Sequence, residues 1–500
     1  MKNLMALALL TLLLTVSISA GVRDNDDSCD VKVGPAATLL LPYFEVDVAG
    51  NSGQTTLFTV TNVSRYPQIA HVTLWTDWGF PVLTFNIFLT GYDVQAINLA
   101  DVFLRNVIAS VNGANPPGVL GSLSQVTSPN LRPSLNCAGN PGTVPAALMA
   151  IVRSALTTGT YQAGSLSCGQ LVGGTHANAI GYATIDVVSN CTTRAPSDPA
   201  YFTEDLLYDN VLIGDYQQLG PHPSGTIGTG FDAAGNPMVH IRALPEGGSA
   251  GSNVPTSLPY TFYDRYTPAT TRARDRRQPL PSTYAARFIQ GGTNAFATNL
   301  TIWREGFGNG SCTNALAASA VMPIPEIVRF DEHENVYVLG TGLNCTCFVP
   351  PTSRPVASST NTADDIFPFL TNSDVAGWIY LNLNNGGSTA YSVTHDVGGQ
   401  PGPTNLPTAL APAGSTTTSG PRPSQNWVTV TMFGTLGGNR MTAEFDAASL
   451  GNGCSPAAFT AVGGAVPIGP TGGVFVCPPG PTLTNGTTTQ CTGTNVNPLP

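Results

Sequence analysis

The sequence predicts an all-β fold built on a duplicated antiparallel sandwich unit, and three observations carry that expectation. First, apolar and polar residues alternate with period two. Phe58 and Val60 alternate with Thr59 and Thr61, and Val72 and Leu74 with His71, Thr73 and Trp75, the pattern of strands with one face on a core. Second, Gly (54) and Pro (41) are abundant while only 10 % of the 500 residues are charged, a profile of many strands and turns rather than of helices. Third, blocks recur. HVTLWTDWGF (His71 to Phe80) reads against NLTIWREGFG (Asn299 to Gly308), and GYATIDV from Gly181 against GWIYLNL from Gly377. In the second match Ala183, Ile185 and Val187 fall on one face, and Ile379, Leu381 and Leu383 on the equivalent one.

The chain opens with Lys2, an apolar run from Met5 to Val16 and the small residues Ser17 to Ala20. That is a signal peptide over 1–20, too short for a membrane span. No later stretch is long and apolar enough to span, so the expected location is secreted, extracellular or at the cell surface. An acidic leader follows at 21–34. The first sandwich copy occupies 35–194, with a helical insertion at 100–177 in which Pro145 to Leu156 reads as a helix. Pro145 suits a first helical turn, and Leu148, Ile151, Val152 and Leu156 share a face. A bridge at 195–281 holds two strand-like runs around a turn at Asp232 to Asn236, and the basic run Thr271 to Arg277, read as a solvated connector. The second copy takes 282–450, and a Gly/Pro/Thr-rich tail held by disulfides takes 451–500.

Ten cysteines, all beyond the signal peptide, read as disulfides in an exported chain. Position favours Cys137–Cys168 around the helix, Cys29–Cys191 around the first copy, and Cys312–Cys345, with Cys347 the alternative partner of Cys312. Net charge is −10, with lysine only at Lys2 and Lys32. Nucleic acid is therefore not an expected partner, since phosphate recognition needs clustered positive charge.

Trp75, Tyr182, Trp303, Trp378 and Tyr380 fall on strand faces opposite the aliphatic core. Flat rings on one sheet face can stack on sugars, and they can equally form a second core where two domains meet; packing is the reading favoured by the frequency of aromatics in cores. Asp77 and Glu305 follow the two Trp residues at strand ends and are candidate Ca²⁺ ligands, although no spaced ligand loop surrounds them. A polysaccharide hydrolase would draw its carboxylates from Asp77, Glu305 or Asp331. Gly247 to Gly251 matches G-x-S-x-G in letters but lacks the flanking strand and helix. The six histidines are scattered, without a zinc-type pair.

The run LFTVTN, then AHVTLWTDWG, then YDVQAINL and GYATIDVVS, resembles immunoglobulin-like sandwich modules of exported bacterial proteins, including uncharacterised secreted ones with a similar leading half. The resemblance covers about two fifths of the chain. It implies two Ig-like antiparallel β-sandwich domains and carries over no functional residue. The expected function is a non-enzymatic surface or matrix protein making structural or adhesive contacts with cell-surface or extracellular components, glycans among them. The alternatives are a carbohydrate-binding protein using the aromatic face and an extracellular polysaccharide hydrolase.

Overall fold

The computed structural model describes residues 31–108, 144–220, 232–243, 261–263, 277–304, 326–341, 356–359, 376–383, 425–449, 483–485 and 488–490, apart from 32, 51–52, 163–167, 282, 334–335 and 437–438. These residues are mostly strand, and every pairing between strands is antiparallel. Sheet I has the order β4 (Pro81–Leu89), β3 (Gln68–Thr76), β6 (Ala179–Val188), β1 (Thr38–Val46), β9 (Val239–Ile241). Sheet II runs β5 (Val94–Asn98), β2 (Thr55–Asn62), β7 (Leu212–Gly220), β8 (Asp232–Pro237). Sheet III runs β13 (Val336–Thr341), β12 (Glu326–Asp331), β15 (Ala376–Asn382), β10 (Thr283–Ile289), β18 (Ala448–Ser449). Sheet IV runs β14 (Val356–Ser359), β11 (Ala297–Arg304), β16 (Asn426–Leu436), β17 (Asn439–Asp446). A short hairpin, β19 (Leu483–Asn485) with β20 (Thr488–Gln490), lies in the tail.

Adding nine to each strand number turns sheet I into sheet III and sheet II into sheet IV. The chain therefore repeats one nine-strand connectivity. Register supports the match residue by residue. Phe44 lies opposite Gly181 and Thr76 opposite Gly181 on its other side, just as Phe288 and Asp331 flank Gly377. The two glycines are required for the same reason. A Cβ at Gly181 would strike the Trp75 carbonyl and come within 2.7 Å of the Phe44 ring, and one at Gly377 would strike the Phe330 carbonyl and come within 2.8 Å of the Phe288 ring. We expect Gly181→Ala and Gly377→Ala each to cost about 2–3 kcal/mol through overpacking, read as a fall in the urea midpoint at unchanged m-value.

This register corrects one sequence match. Trp75 lies on β3 of sheet I, whereas Trp303 lies on β11 of sheet IV, whose counterpart is β2. The true equivalent of the Trp303 block is LFTVTN, with Phe58 and Val60 in the places of Leu300 and Ile302. A triplet of Thr, aliphatic and Trp suits any strand with two buried faces, so it carries no information about position in a sheet.

The 195–281 segment also differs from expectation. β7 and β8 complete sheet II, β9 completes sheet I, and Asp232 to Gly235 are strand rather than turn. Helix α1 (Leu99–Arg105), unanticipated, is capped by the Asn98 side chain accepting from Ala100 N. Helix α2 (Ala146–Thr158) starts after Pro145 as expected and stops at Gly159, whose φ is +69°.

Two cores result. In the first, Leu39, Leu41, Val72, Leu74 and Ile185 of sheet I pack with Phe58, Val60 and Tyr216 of sheet II, and Val102, Met149 and Val152 of the helices close the side. In the second, Leu300, Ile302, Val428 and Val430 of sheet IV pack with Tyr284, Phe288, Ile379 and Leu381 of sheet III. The second core is continuous with Leu40, Ile69, Trp75 and Tyr182, which lie on the other face of sheet I. Sheet I is thus buried on both faces, and every residue of β3 is buried. The polar residues that alternate along β3 are buried as well, His71 against the Tyr201 ring and Asn86. Among the described residues no helix is long and apolar enough to cross a membrane.

Candidate functional site

The five aromatic residues singled out in the sequence divide into two groups. Trp75, Tyr182 and Trp303 come together in the seam between the units. Trp75 and Tyr182 stack at 5.7 Å with 2° between their planes, and Trp303 and Tyr182 meet in a T-shaped contact at 5.8 Å. Phe262 stacks on Trp303 at 5.6 Å. All three seam rings are buried, and Trp75 Nε1 donates to Thr184 Oγ1 at 2.9 Å. Offset and edge contacts of this kind add roughly 0.5–1.5 kcal/mol each beyond area burial.

The same seam buries a polar centre that the sequence did not single out. Asp186 on β6 accepts from Tyr201 Oη at 2.7 Å, Tyr263 Oη at 2.8 Å and Thr38 Oγ1 at 2.5 Å. Arg277 Nε lies 3.5 Å from Asp186 Oδ1 and also donates to Thr38 Oγ1, while Arg277 Nη2 donates to Leu207 O at 3.1 Å. Both charged side chains are fully buried. Burial, and next the Asp186 charge, push the Tyr201 and Tyr263 hydroxyls well above the ordinary tyrosine range, so both stay protonated as donors. Arg277 closes the basic run that the sequence placed in a solvated connector. It is instead fully buried and carries β6's carboxylate, with the Tyr208 and Tyr263 rings 5.5 and 5.7 Å from its guanidinium.

Beside Asp186 in register is His71. Burial lowers its pKa, and its Nδ1 is 2.8 Å from Asn86 Oδ1. Because Asn86 Nδ2 donates to Thr192 O, Asn86 Oδ1 must accept, which assigns the imidazole proton to Nδ1.

A second polar contact joins sheets II and IV. Tyr216 Oη donates to Glu444 Oε1 at 2.7 Å, and Asn236 Nδ2 to Asp446 Oδ1 at 2.7 Å. Trp427 Nε1 donates to the same Asp446 oxygen at 2.9 Å. Burial raises Glu444 to about 7 and Asp446 to about 6, with the neighbouring Asp446 charge adding to the Glu444 shift.

Trp378 and Tyr380 form the second aromatic group, on the outer face of sheet III. Trp378 is 42 % exposed, with the Arg287 guanidinium 5.1 Å from its ring. Tyr380 and Phe330 on the same face are half-buried.

Asp77 is buried and both of its carboxylate oxygens are engaged. Gly174 N donates to Oδ1 at 2.8 Å, and His176 Nε2 lies 2.9 Å from Oδ2. The loop after β3 thereby tethers the segment leading into β6. Glu305 lies outside the described residues, and Asp331 begins a turn in which its Oδ1 accepts from His333 N at 2.8 Å. Among the described residues no group of three His, Cys, Asp or Glu side chains is arranged to hold a metal. Cys168 and Cys191 are each disulfide-bonded. The other cysteines of the expected pairs Cys137–Cys168, Cys29–Cys191 and Cys312–Cys345 lie outside the described residues, as does the expected signal peptide at 1–20.

The only sequence signal for the Asp186 centre was a carboxylate on the strand face opposite Ile185 and Val187, the face that carries Tyr182. Its partners at 38, 201, 263 and 277 are too far apart in the chain for spacing to connect them. No protein-family model, no curated protein and no solved structure matches this chain.

Proposed function

We propose that the chain is an exported, non-enzymatic structural protein of the cell surface or extracellular matrix, built of two Ig-like sandwich units joined over a buried seam. One observation carries the reading: Trp75, Tyr182 and Trp303, the rings a sugar platform would need, are packed together between the units beside the buried Asp186–Arg277 pair. Side chains buried in this way hold two units together and are not available for turnover. Export is supported by the signal-like first 20 residues and by disulfide-bonded Cys168 and Cys191. A second reading, glycan binding, is favoured by the exposed Trp378 with half-buried Tyr380 beside it.

Fractionation of the producing cells tests the first reading, with the purified mature chain then incubated with insoluble polysaccharides. We expect the protein in the surface or extracellular fraction, with no reducing sugar released. Release of reducing sugar overturns the structural reading. Retention on a polysaccharide that Trp378→Ala abolishes replaces it with the glycan-binding one.

A further inference from the structure

We propose that the outer face of sheet III docks head to tail on the outer face of sheet II in a second copy of this chain, giving open-ended rows. The proposal rests on the structural reading above and specifies the contact that such a protein would use.

The internal repeat aligns the outer faces of sheets I and III residue by residue. With Gly181 matched to Gly377, Tyr182 corresponds to Trp378, Thr184 to Tyr380, and Trp75, opposite Tyr182, to Phe330, opposite Trp378. In the first unit this face is covered: Tyr182 is 1 % exposed, and Trp303 from the outer face of sheet IV lies against it. In the second unit the corresponding Trp378 is 42 % exposed. Of an aromatic pair covered in one unit, the tryptophan is thus exposed in the other, with Phe330 half-buried beside it.

The repeat also names the surface that does the covering. Sheet IV stands in the second unit where sheet II stands in the first. Phe58 and Val60 correspond to Leu300 and Ile302, so Thr61 holds the place of Trp303. The outer face of sheet II, with Thr59, Thr61, Val94, Ala96 and Asp215, is the counterpart of the face that covers Tyr182. Val94 is 55 % exposed there, and Ala96 and Asp215 are also exposed. Ala96 and Asp215 flank Thr59 in one cross-strand row, so the carboxylate sits at the middle of the face. Arg287, exposed over Trp378, supplies the opposite charge on sheet III. The Trp ring and the guanidinium are of the kind that anchor interfaces, and the charge pair sets orientation.

The two faces differ, so the contact is heterologous. Such a contact leaves one face of each kind free at the ends and extends into a row unless the rotation happens to close a ring.

Sedimentation velocity of the full mature chain over a wide concentration range tests this, with Trp378→Asp and Arg287→Glu blocking sheet III and Ala96→Arg blocking sheet II. All three positions are exposed, so folding should survive, and circular dichroism checks it. Wild type should form a graded series of assemblies, and each variant should weaken association by at least about tenfold. Mixing Trp378→Asp with Ala96→Arg should give a two-chain complex that grows no further, because only one pair of compatible faces remains. Arg287→Asp combined with Asp215→Arg should restore assembly. A wild-type chain that stays monomeric, a closed symmetric dimer, or assemblies indifferent to Trp378→Asp would each overturn the proposal. A monomer that still fractionates with the cell surface sinks this contact and leaves the structural reading standing. Assemblies that release reducing sugar do the reverse.

Discussion

Asp186→Ala is expected to destabilise the protein by about 3–5 kcal/mol, because it leaves Arg277 buried without its carboxylate. The three hydroxyls of Tyr201, Tyr263 and Thr38 lose their shared acceptor at the same time, and each unsatisfied donor adds to the cost. Arg277→Met alone should cost a similar amount by leaving Asp186 without that guanidinium. The double variant Asp186→Leu with Arg277→Met should lose less than the two single costs together, since no unpaired charge then remains in the seam. Urea unfolding of all variants measures this double-mutant cycle. Additive losses, with no coupling between the positions, would show that the pair in the seam does not act as one unit.

At alkaline pH Glu444→Gln should be more stable than wild type by about 2 kcal/mol, a figure already discounted for the partial exposure of the side chain. The folded protein holds Glu444 near 7 against an ordinary 4.5, and Asp446 near 6 against 3.8. Between those values the folded state retains protons that the unfolded chain has released. Their stabilising contribution is complete below the unfolded values and is lost as pH rises through about 6 and then about 7. Removing the ionisable group at 444 removes its share of that loss, so the two proteins should converge near pH 4.5 and separate above it. His240 acts in the opposite sense. Burial lowers it from 6.5 to about 4, so its neutral form contributes stability that is lost as pH falls from 6.5 toward 4. Wild type alone therefore mixes both trends, and the difference between wild type and Glu444→Gln across pH isolates the carboxyl. A constant difference at every pH would contradict the assignment of the sheet II–IV contact to a protonated carboxyl.

Much of the local structure was legible in the chain. Alternation along β2, β3 and β6 marked strands correctly because a pleated strand with a dry face must place its apolar side chains at every second position. Pro145 and the apolar positions after it marked α2. The match of Gly181 to Gly377 held because close packing against a Phe ring and a neighbouring carbonyl tolerates no Cβ in either unit. The match of Trp75 to Trp303 failed because both strands bury two faces, and similar burial selects similar residues in strands with different neighbours. The polar residues His71, Thr73, Thr184 and Asp186 have the period of a wet sheet face, yet all are buried. Alternation reports that two faces differ in polarity. It does not report that the polar one meets water.

Residue order by itself determined that this chain is built of strands, where many of them run, and that the pattern recurs, because those properties follow from local sterics and from side-chain parity along the backbone. Only tertiary structure decided that one sheet is enclosed on both sides, that Arg277 leaves its basic run to pair with a carboxylate 91 positions earlier, and that Trp378 remains open where Tyr182 is covered. Those outcomes depend on which surfaces meet, and the free energy of meeting is shared among side chains that no local pattern connects.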